Sequence, residues 1–168
     1  FIGTKAMPED IQGCALLGGY FGHVVQLHRL EDFGAGFKSS VLPDLMSSSN
    51  TAFRPVDVSV GPDGAMYLAD WYNPVIGHYQ ASYADPNRDK SHGRIWRITA
   101  TGYQTIKQPK LAEMSSIQLL EQLRSPERWT RYQAKRLLFD APTEDVLAAA
   151  DAWLSNLEST EERLLVEL

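Results

Sequence analysis

Most residues that could do chemistry in this sequence lie in or beside one polar segment, residues 72–92. Its carboxylates and imidazoles, together with one carboxylate just before it, are Asp70, His78, Asp85, Asp89 and His92. Hard cations such as Ca²⁺ prefer several oxygen ligands, whereas imidazole suits transition metals. All of these residues except His78 are candidate metal ligands, although their spacing matches no known metal cage. The alternative, which we prefer, is that Asp85 and Asp89 pair with Arg88 and Arg94 and so pin the segment.

Cations and aromatic rings near the same segment are candidates for binding an organic ligand. An arginine can hold a carboxylate through two parallel hydrogen bonds, and a histidine can act as a base or a ligand near neutral pH. Aromatic rings at strand ends can stack on a sugar ring, although packing inside the fold is their more common role. Arg94 and Arg97 are three apart on one predicted strand, so they point to opposite faces and one of them is expected in a structural ion pair. The candidate ligand-binding residues are His78, Arg88, Arg94, Arg97, Trp71 and Tyr72.

Other conspicuous residues have structural explanations. The Gly-Pro-Asp-Gly sequence at residues 61–64 predicts a tight turn in which Asp63 hydrogen bonds the local backbone. Asp57 is expected to pair with Arg54. The single cysteine, Cys14, has apolar neighbours and is interpreted as a small core residue.

Composition excludes several classes of protein. The chain has 168 residues, of which 43% are hydrophobic and 22% charged, so it is neither disordered nor of low complexity. A net charge of −5 gives no basic surface for nucleic acid, and no apolar run reaches the roughly 18 residues of a membrane span. One cysteine cannot form an internal disulfide, a CxxC metal site or a CxxCH haem site.

The elements that must position these residues fall into two parts that meet near residue 110. In residues 1–110, apolar and polar residues alternate in short runs bounded by glycine, which predicts strands near residues 15–17, 24–30, 56–60, 65–71 and 94–99. Residues 22–27 also parallel residues 93–98, and repeated antiparallel units of this kind are typical of β-propeller blades. The expected fold of residues 1–110 is therefore the C-terminal blades of a β-propeller.

Residues 111–168 carry the whole negative excess and no glycine. Ser115 with Gln118 predicts a helix start, and further starts are predicted at residues 125–127, at Thr143 and at Ser159. Short helices joined by brief turns favour an all-α solenoid of paired helices, here the start of a HEAT-like repeat.

Four motifs resemble a known family: FRPVDV at residues 53–58, GPDG at 61–64, ADWYNP at 69–74 and HGRIWRI at 92–98. They are similar to the last blades of the exported membrane-bound dehydrogenase-like propeller proteins of planctomycetes and verrucomicrobia, which are related to soluble quinoprotein glucose and sorbosone dehydrogenases. Residues 131–138 are similar to the second helix of a HEAT repeat, which follows the propeller in that family. Because the chain begins at Phe1 and ends inside an amphipathic pattern, we expect it to be a fragment of a longer protein.

The resemblance implies an exported, periplasmic protein that acts on sugars or related alcohols and passes electrons to a quinone or a haem. Pyrroloquinoline quinone and Ca²⁺ are the cofactors it implies, with haem c and the catalytic base outside this fragment. The alternative is a non-catalytic propeller–HEAT scaffold that binds a polysaccharide, or a protein partner on its helical part. A third reading, a lactonase-type propeller, would need a set of Ca²⁺ ligands that the sequence does not complete.

Overall fold

The computed structural model describes residues 1–77 and 84–157, in which all strands precede the α-helices. The first three strands form an antiparallel sheet in the order β1-β2-β3: β1 (Ala15–Gly19), β2 (Val24–Phe33) and β3 (Gly36–Ser47). The next three form a second antiparallel sheet in the order β4-β5-β6: β4 (Pro55–Val60), β5 (Met66–Asp70) and β6 (Arg94–Ile98). Three helices follow: α1 (Ser116–Gln122), α2 (Arg128–Asp140) and α3 (Thr143–Leu154). Single 3₁₀ turns occur at Glu9–Ile11 and Leu111–Glu113.

The two sheets share one apolar core. Cys14, directly before β1, and Leu27 of β2 pack with Met66 of β5. Val25 of β2 packs with Leu68 of β5 and with Phe53, which precedes β4. Cys14 is buried, as the sequence predicts. The sheets approach each other closely at Gly18, where an added Cβ would lie 2.6 Å from the carbonyl oxygen of Pro55. A side chain at position 18 would therefore separate them.

The turn between β4 and β5 confirms the interpretation of residues 61–64. The N–H of Gly61 donates to the carbonyl of Ala65 at 2.8 Å, and Oδ1 of Asp63 accepts the N–H of Ala65 at 3.1 Å. Gly64 has a φ of 75°, a left-handed conformation that favours glycine. The turn fixes the register that carries Asp70 to the end of β5.

The β2–β3 hairpin extends well beyond its sheet. β1 pairs only with the Val24–His28 part of β2, whereas β2 and β3 continue to pair as far as Phe33 and Gly36. Residues 31–40 are all exposed. The outer half of this hairpin is thus a two-stranded ribbon that projects from the domain.

The helices form a second core beside the sheets. Leu119 and Leu120 of α1 pack with Ala134 of α2 and Trp153 of α3. The indole N–H of Trp153 donates to Glu121 at 2.9 Å, which fixes α3 against α1. Within the described residues no helix is long and apolar enough to cross a membrane.

The predicted β-propeller is wrong. Propeller blades are typically sheets of four strands around a central channel, whereas the described chain contains two small sheets of three strands. The apparent repeat is misleading because its two copies occupy different places: residues 24–27 lie in the central strand β2, and residues 94–98 form the edge strand β6. The fold is a small mixed α/β domain.

The predicted HEAT-like solenoid is also wrong. A solenoid stacks helix pairs so that each pair contacts only its neighbours, but here α1 packs against both α2 and α3 around one cluster. Capped amphipathic helices are common to both arrangements, so the sequence pattern does not distinguish them. The helix predicted from Ser159 lies outside the described residues.

Candidate functional site

A buried arginine joins two loops, one from each sheet. Arg54 lies directly before β4 and is only 4% exposed. Its guanidinium donates to the carbonyl oxygens of Tyr20 at 2.8 Å, Asn73 at 2.9 Å and Pro74 at 3.3 Å. Burial lowers the pKa of Arg54, and the negative charge of Asp70 opposes that shift. Arg54 therefore holds the loop after β1 against the loop after β5.

A buried carboxylate organises the same region from the second sheet. Oδ1 of Asp70 accepts the backbone N–H groups of Arg54 at 2.8 Å and Tyr72 at 2.9 Å. Oδ2 accepts Nε of Arg94 at 2.7 Å and Nε1 of Trp96 at 3.0 Å. Burial alone would raise the pKa of Asp70, but these four hydrogen bonds outweigh it and lower the pKa below its ordinary value. Asp70 is thus a positioning residue for the ends of β5 and β6.

Arg94 is fixed by this carboxylate and by two aromatic rings. Its guanidinium carbon lies 4.1 Å from the ring centroid of Tyr72 and 5.0 Å from that of Trp96. The side chain is still 32% exposed. Among the described residues Arg94 makes a side-chain hydrogen bond only through Nε, so its terminal N–H groups are available to a ligand.

Three shallow depressions follow one another across this surface, and we call them together the aromatic row. Their volumes are about 300, 320 and 290 Å³. The first two share Trp71 and Val56, and the second and third share Gly93 and Arg94. The other residues that line them are Tyr20, Phe21, Ile76 and Gly77 in the first, Ala69, Asp70 and Ile95 in the second, and Tyr72, Asp89 and His92 in the third.

The first depression is bounded by exposed rings. The side chain of Trp71 is 46% exposed and that of Phe21 is 61% exposed. Tyr20 and Phe21 stand together, with ring centroids 4.3 Å apart. Large apolar side chains grouped on a surface mark interaction sites more often than single ones do.

Two residues with left-handed backbone support the row. His23 has a φ of 56° and Tyr72 a φ of 51°, which is uncommon for residues other than glycine. Nδ1 of His23 lies 2.9 Å from both Nη1 of Arg54 and the carbonyl oxygen of Phe53. Strained backbone of this kind persists where the surroundings fix it, and it concentrates at functional sites.

The polar segment is pinned by other contacts than the expected pairs with Arg88 and Arg94. Asp89 pairs with His92, whose Nδ1 lies 2.7 Å from Oδ2 of Asp89. The hydrogen bond from the N–H of Ser91, together with those from His92, lowers the pKa of Asp89 to about 2. Asp85 accepts the N–H of Asn87 at 2.8 Å. Arg88 donates to the carbonyl of Val75 at 3.1 Å, and His78 lies outside the described residues.

Of the four candidate metal ligands, Asp89 and His92 are in contact, but Asp70 and Asp85 do not join them in the described part of the chain. No three His, Cys, Asp or Glu side chains there are placed as a metal-binding group. Both oxygens of Asp70 and of Asp89 accept hydrogen bonds from protein donors. These residues therefore do not fit the Ca²⁺ site that the resemblance implies.

Arg97 lies on the opposite face of β6 from Arg94 and away from the aromatic row. Its Nη2 is 2.6 Å from Oδ2 of Asp63, and Nε lies 3.2 Å from the hydroxyl of Tyr67. The hydrogen bond to Asp63 raises the pKa of Arg97. Arg97 thus braces the β4–β5 turn.

Sequence reasoning missed the end of the aromatic row that the first sheet supplies. Tyr20 and Phe21, which line the row, and Arg54, which holds the two loops together, are remote in sequence from the polar segment and reach it only because the two sheets pack together. The adjacent pair Tyr20 and Phe21 was the available signal, since two large rings between glycines at a strand end have no place in a strand core.

Comparison with known proteins gives a family but no function. No curated protein and no solved structure matches the chain. The model of a family described as a domain of unknown function, DUF7133, matches residues 1–102, which include both sheets and the aromatic row. That match covers more than half of the 168 residues, and the chain therefore belongs to the DUF7133 family.

Proposed function

We propose that this chain binds a carbohydrate chain along the aromatic row, and that acidic sugars are preferred. The observation that carries the proposal is the continuity of three depressions, of which the first and second share Trp71 and the second and third share Arg94. A row of adjoining depressions suits a ligand made of repeated units, whereas a single compact metabolite would use one enclosed pocket.

The aromatic end of the row supports a sugar as the repeated unit. A pyranose ring has an apolar face of C–H groups, and an exposed indole or phenyl ring offers a flat partner for it. Trp71 and Phe21 present such rings, and Val56 lies between the first two depressions. The hydroxyl groups at the edge of a stacked sugar remain free to reach polar neighbours.

The polar end of the row supports the preference for acidic sugars. Arg94 is held by Asp70 through Nε and keeps its terminal N–H groups for a ligand. His92 and Asp89 line the same depression and add a donor and an acceptor for hydroxyl groups. A guanidinium that its surroundings hold in place binds a carboxylate at a smaller entropic cost than a mobile one.

Binding is what the described residues support better than catalysis. The carboxylates of Asp70 and Asp89 are engaged by several donors each, so neither is placed to take a proton from a substrate. The dehydrogenase activity, the quinone and haem c, and the periplasmic or otherwise exported location stay predictions that rest on the resemblance. A protein partner on the helical part stays a prediction of the alternative scaffold reading.

The experiment compares an acidic and a neutral glycan on matched variants. We expect oligogalacturonate to bind more tightly than a neutral cello-oligosaccharide of the same length in isothermal titration calorimetry. Trp71→Ala removes the shared stacking surface and should weaken both ligands about tenfold. Arg94→Gln should reduce the affinity for oligogalacturonate and leave that for the neutral glycan nearly unchanged.

Phe139→Ala is the control, because Phe139 is a 90% exposed ring on α2 that lies outside the aromatic row. Thermal melts of each variant show whether the fold is intact. The proposal fails if neither glycan binds the wild-type chain, or if Trp71→Ala and Phe139→Ala bind alike.

A further inference from the structure

We propose a second ligand site, for a small organic carboxylate with an apolar or aromatic body, in a cavity between the β4–β5 hairpin and α2. The cavity has a volume of about 660 Å³ and shares no lining residue with the aromatic row. We call it the hairpin–helix cavity. This proposal is independent of carbohydrate binding.

The floor and walls of the cavity suit an apolar body. Val58, Val60 and Met66 of the second sheet form part of its lining, and Trp129 and Tyr132 of α2 stand opposite them. Tyr132 is 58% exposed, so its ring is accessible from solvent. A ligand of 300 Å³ or more would find apolar surface on two sides, which is the usual character of small-molecule sites.

Cationic groups give the site its charge preference, since Phe1 also lines the cavity and burial together with the charge of Arg128 lowers the pKa of its α-amino group. Arg128 is the charged side chain among the residues that line the cavity, and no described carboxylate pairs with its guanidinium. No acidic side chain lines the cavity. An anion could therefore bind there without displacing an existing ion pair, whereas a cation would meet repulsion.

The stem of Arg128 is held in place by the backbone of the first residues. Its N–H donates to the carbonyl of Gly3 at 2.8 Å. A Cβ added to Gly3 would lie 2.8 Å from Cβ and 3.4 Å from Cδ of Arg128, so the side chain packs directly on this glycine. Packing of the methylene groups leaves the guanidinium as the free end, which reduces the entropy lost when it binds an anion.

The indole of Trp129 provides a second recognition point. Its ring also packs against the helical core, so it is anchored on one side. No described residue accepts its N–H, which leaves a donor for the second carboxylate oxygen or for a polar group on the ligand. An aromatic or branched carboxylate combines the two features that the cavity offers.

The test uses two probes that differ only in charge, 4-phenylbutyrate and 4-phenylbutanamide. We expect the carboxylate to bind the wild-type chain about tenfold more tightly than the amide in calorimetric titrations. Arg128→Gln should remove that difference and Arg128→Lys should keep part of it. Lys135→Gln, which removes the same charge from an exposed position on the same helix, should change nothing.

A spectroscopic measurement locates the bound probe. The indole N–H resonance of Trp129, assigned with Trp129→Phe, should move on titration with 4-phenylbutyrate, while that of the buried Trp153 should not. Thermal melts show whether the Arg128 variants remain folded. The proposal is overturned if millimolar 4-phenylbutyrate leaves the Trp129 resonance in place, or if Arg128→Gln and Lys135→Gln bind it equally.

Discussion

Two buried charged side chains, Arg54 and Asp70, give the aromatic row its shape. Neither depends on a simple ion pair: Arg54 donates mainly to carbonyl oxygens, and Asp70 accepts two backbone N–H groups as well as Arg94 and Trp96. Buried charges are tolerated when all their hydrogen bonds are made, and they are costly when one partner is lost. The row is therefore sensitive to changes at residues that a ligand would hardly touch.

Asp70→Asn is expected to destabilise the chain by about 3 kcal/mol. The asparagine oxygen can still accept from Arg54 and Tyr72, but its NH₂ group would face the N–H donors of Arg94 and Trp96. Urea denaturation at pH 7 measures the change. Asp57→Asn is the matched control and should cost less than 0.5 kcal/mol, since exposed Asp57 accepts only the N–H of the adjacent Val58 among the described residues. Equal losses in the two variants would contradict this account.

The same carboxylate predicts how stability depends on pH. The pKa of Asp70 is lowered in the folded chain from 3.8, so its contribution is complete above that value and is lost as the pH falls through the folded pKa. Burial raises the pKa of Asp63, but its hydrogen bonds, that from Arg97 first, outweigh burial, so the net pKa is lowered. Asp63 therefore changes the pH dependence of stability in the same direction as Asp70. Circular dichroism between pH 2 and about 5 should show a shallower acid transition for Asp70→Asn than for the wild type.

The strand β5 connects the core to the site. Met66 and Leu68 point into the shared apolar core, and Asp70 continues the same face at the end of the strand. The tight turn before β5 sets this register, since a slip of one residue would move all three side chains to the other face. The turn is thus as important for the aromatic row as the residues that line it.

Gly64→Ala and Gly102→Ala should separate the cost of backbone strain from the cost of overpacking. Both glycines have positive φ, 75° and 84°. A Cβ at Gly64 would lie 2.7 Å from Ala6 and from Thr4, whereas a Cβ at Gly102 meets nothing within 4 Å. In chemical denaturation we expect the free energy of unfolding to fall by about 3 kcal/mol for Gly64→Ala and by about 1 kcal/mol for Gly102→Ala. Equal decreases in the two variants would show that Ala6 and Thr4 move aside at little cost in free energy.

The sequence predicts local elements well because their patterns are local. Alternation predicts β1, β2, β4, β5 and β6, and capping residues with apolar periodicity predict α1, α2 and α3. The sequence does not predict β3, because its apolar residues lie in adjacent pairs, at residues 41–42 and 45–46, on either side of Pro43, so no period of two is visible. The number of strands in a sheet and the pairing of sheets depend on distant contacts, which is why the propeller and the solenoid were wrong.

The candidate site shows the same division. Trp71, Tyr72 and Arg94 are predicted from their types and places near strand ends, and they do line the aromatic row. The partnership of Asp70 with Arg94 needs the β5–β6 pairing, which joins residues 24 apart in sequence. The contribution of Tyr20 and Phe21 needs the packing of one sheet on the other.

The sheets and the helices are joined by a short segment at the start of α2. Oε1 of Glu127 accepts the N–H of Lys5 at 2.8 Å, and the N–H of Arg128 donates to Gly3 at 2.8 Å. Glu127 is nearly buried, with 9% exposure. These bonds link the helices to the segment that precedes β1 and so couple the two apolar cores locally.

Glu127→Ala should weaken that coupling and lower the free energy of unfolding by about 2 kcal/mol, mainly by destabilising the helices. Hydrogen exchange should then speed up in α1 and α3 more than in β4 and β5. Glu127→Gln keeps an oxygen for Lys5 and should retain most of the protection. Uniform acceleration over both parts of the described chain would contradict a local link.

The projecting β2–β3 ribbon offers an attachment site for a label. Its tip, Gly34 and Ala35, closes a two-residue loop, and residues 31–40 are exposed throughout. Neither the aromatic row nor the hairpin–helix cavity uses any residue of this ribbon. A biotin tag attached at position 35 would therefore immobilise the chain on a sensor surface, and a fluorophore there would report on it, with both proposed binding surfaces unmodified.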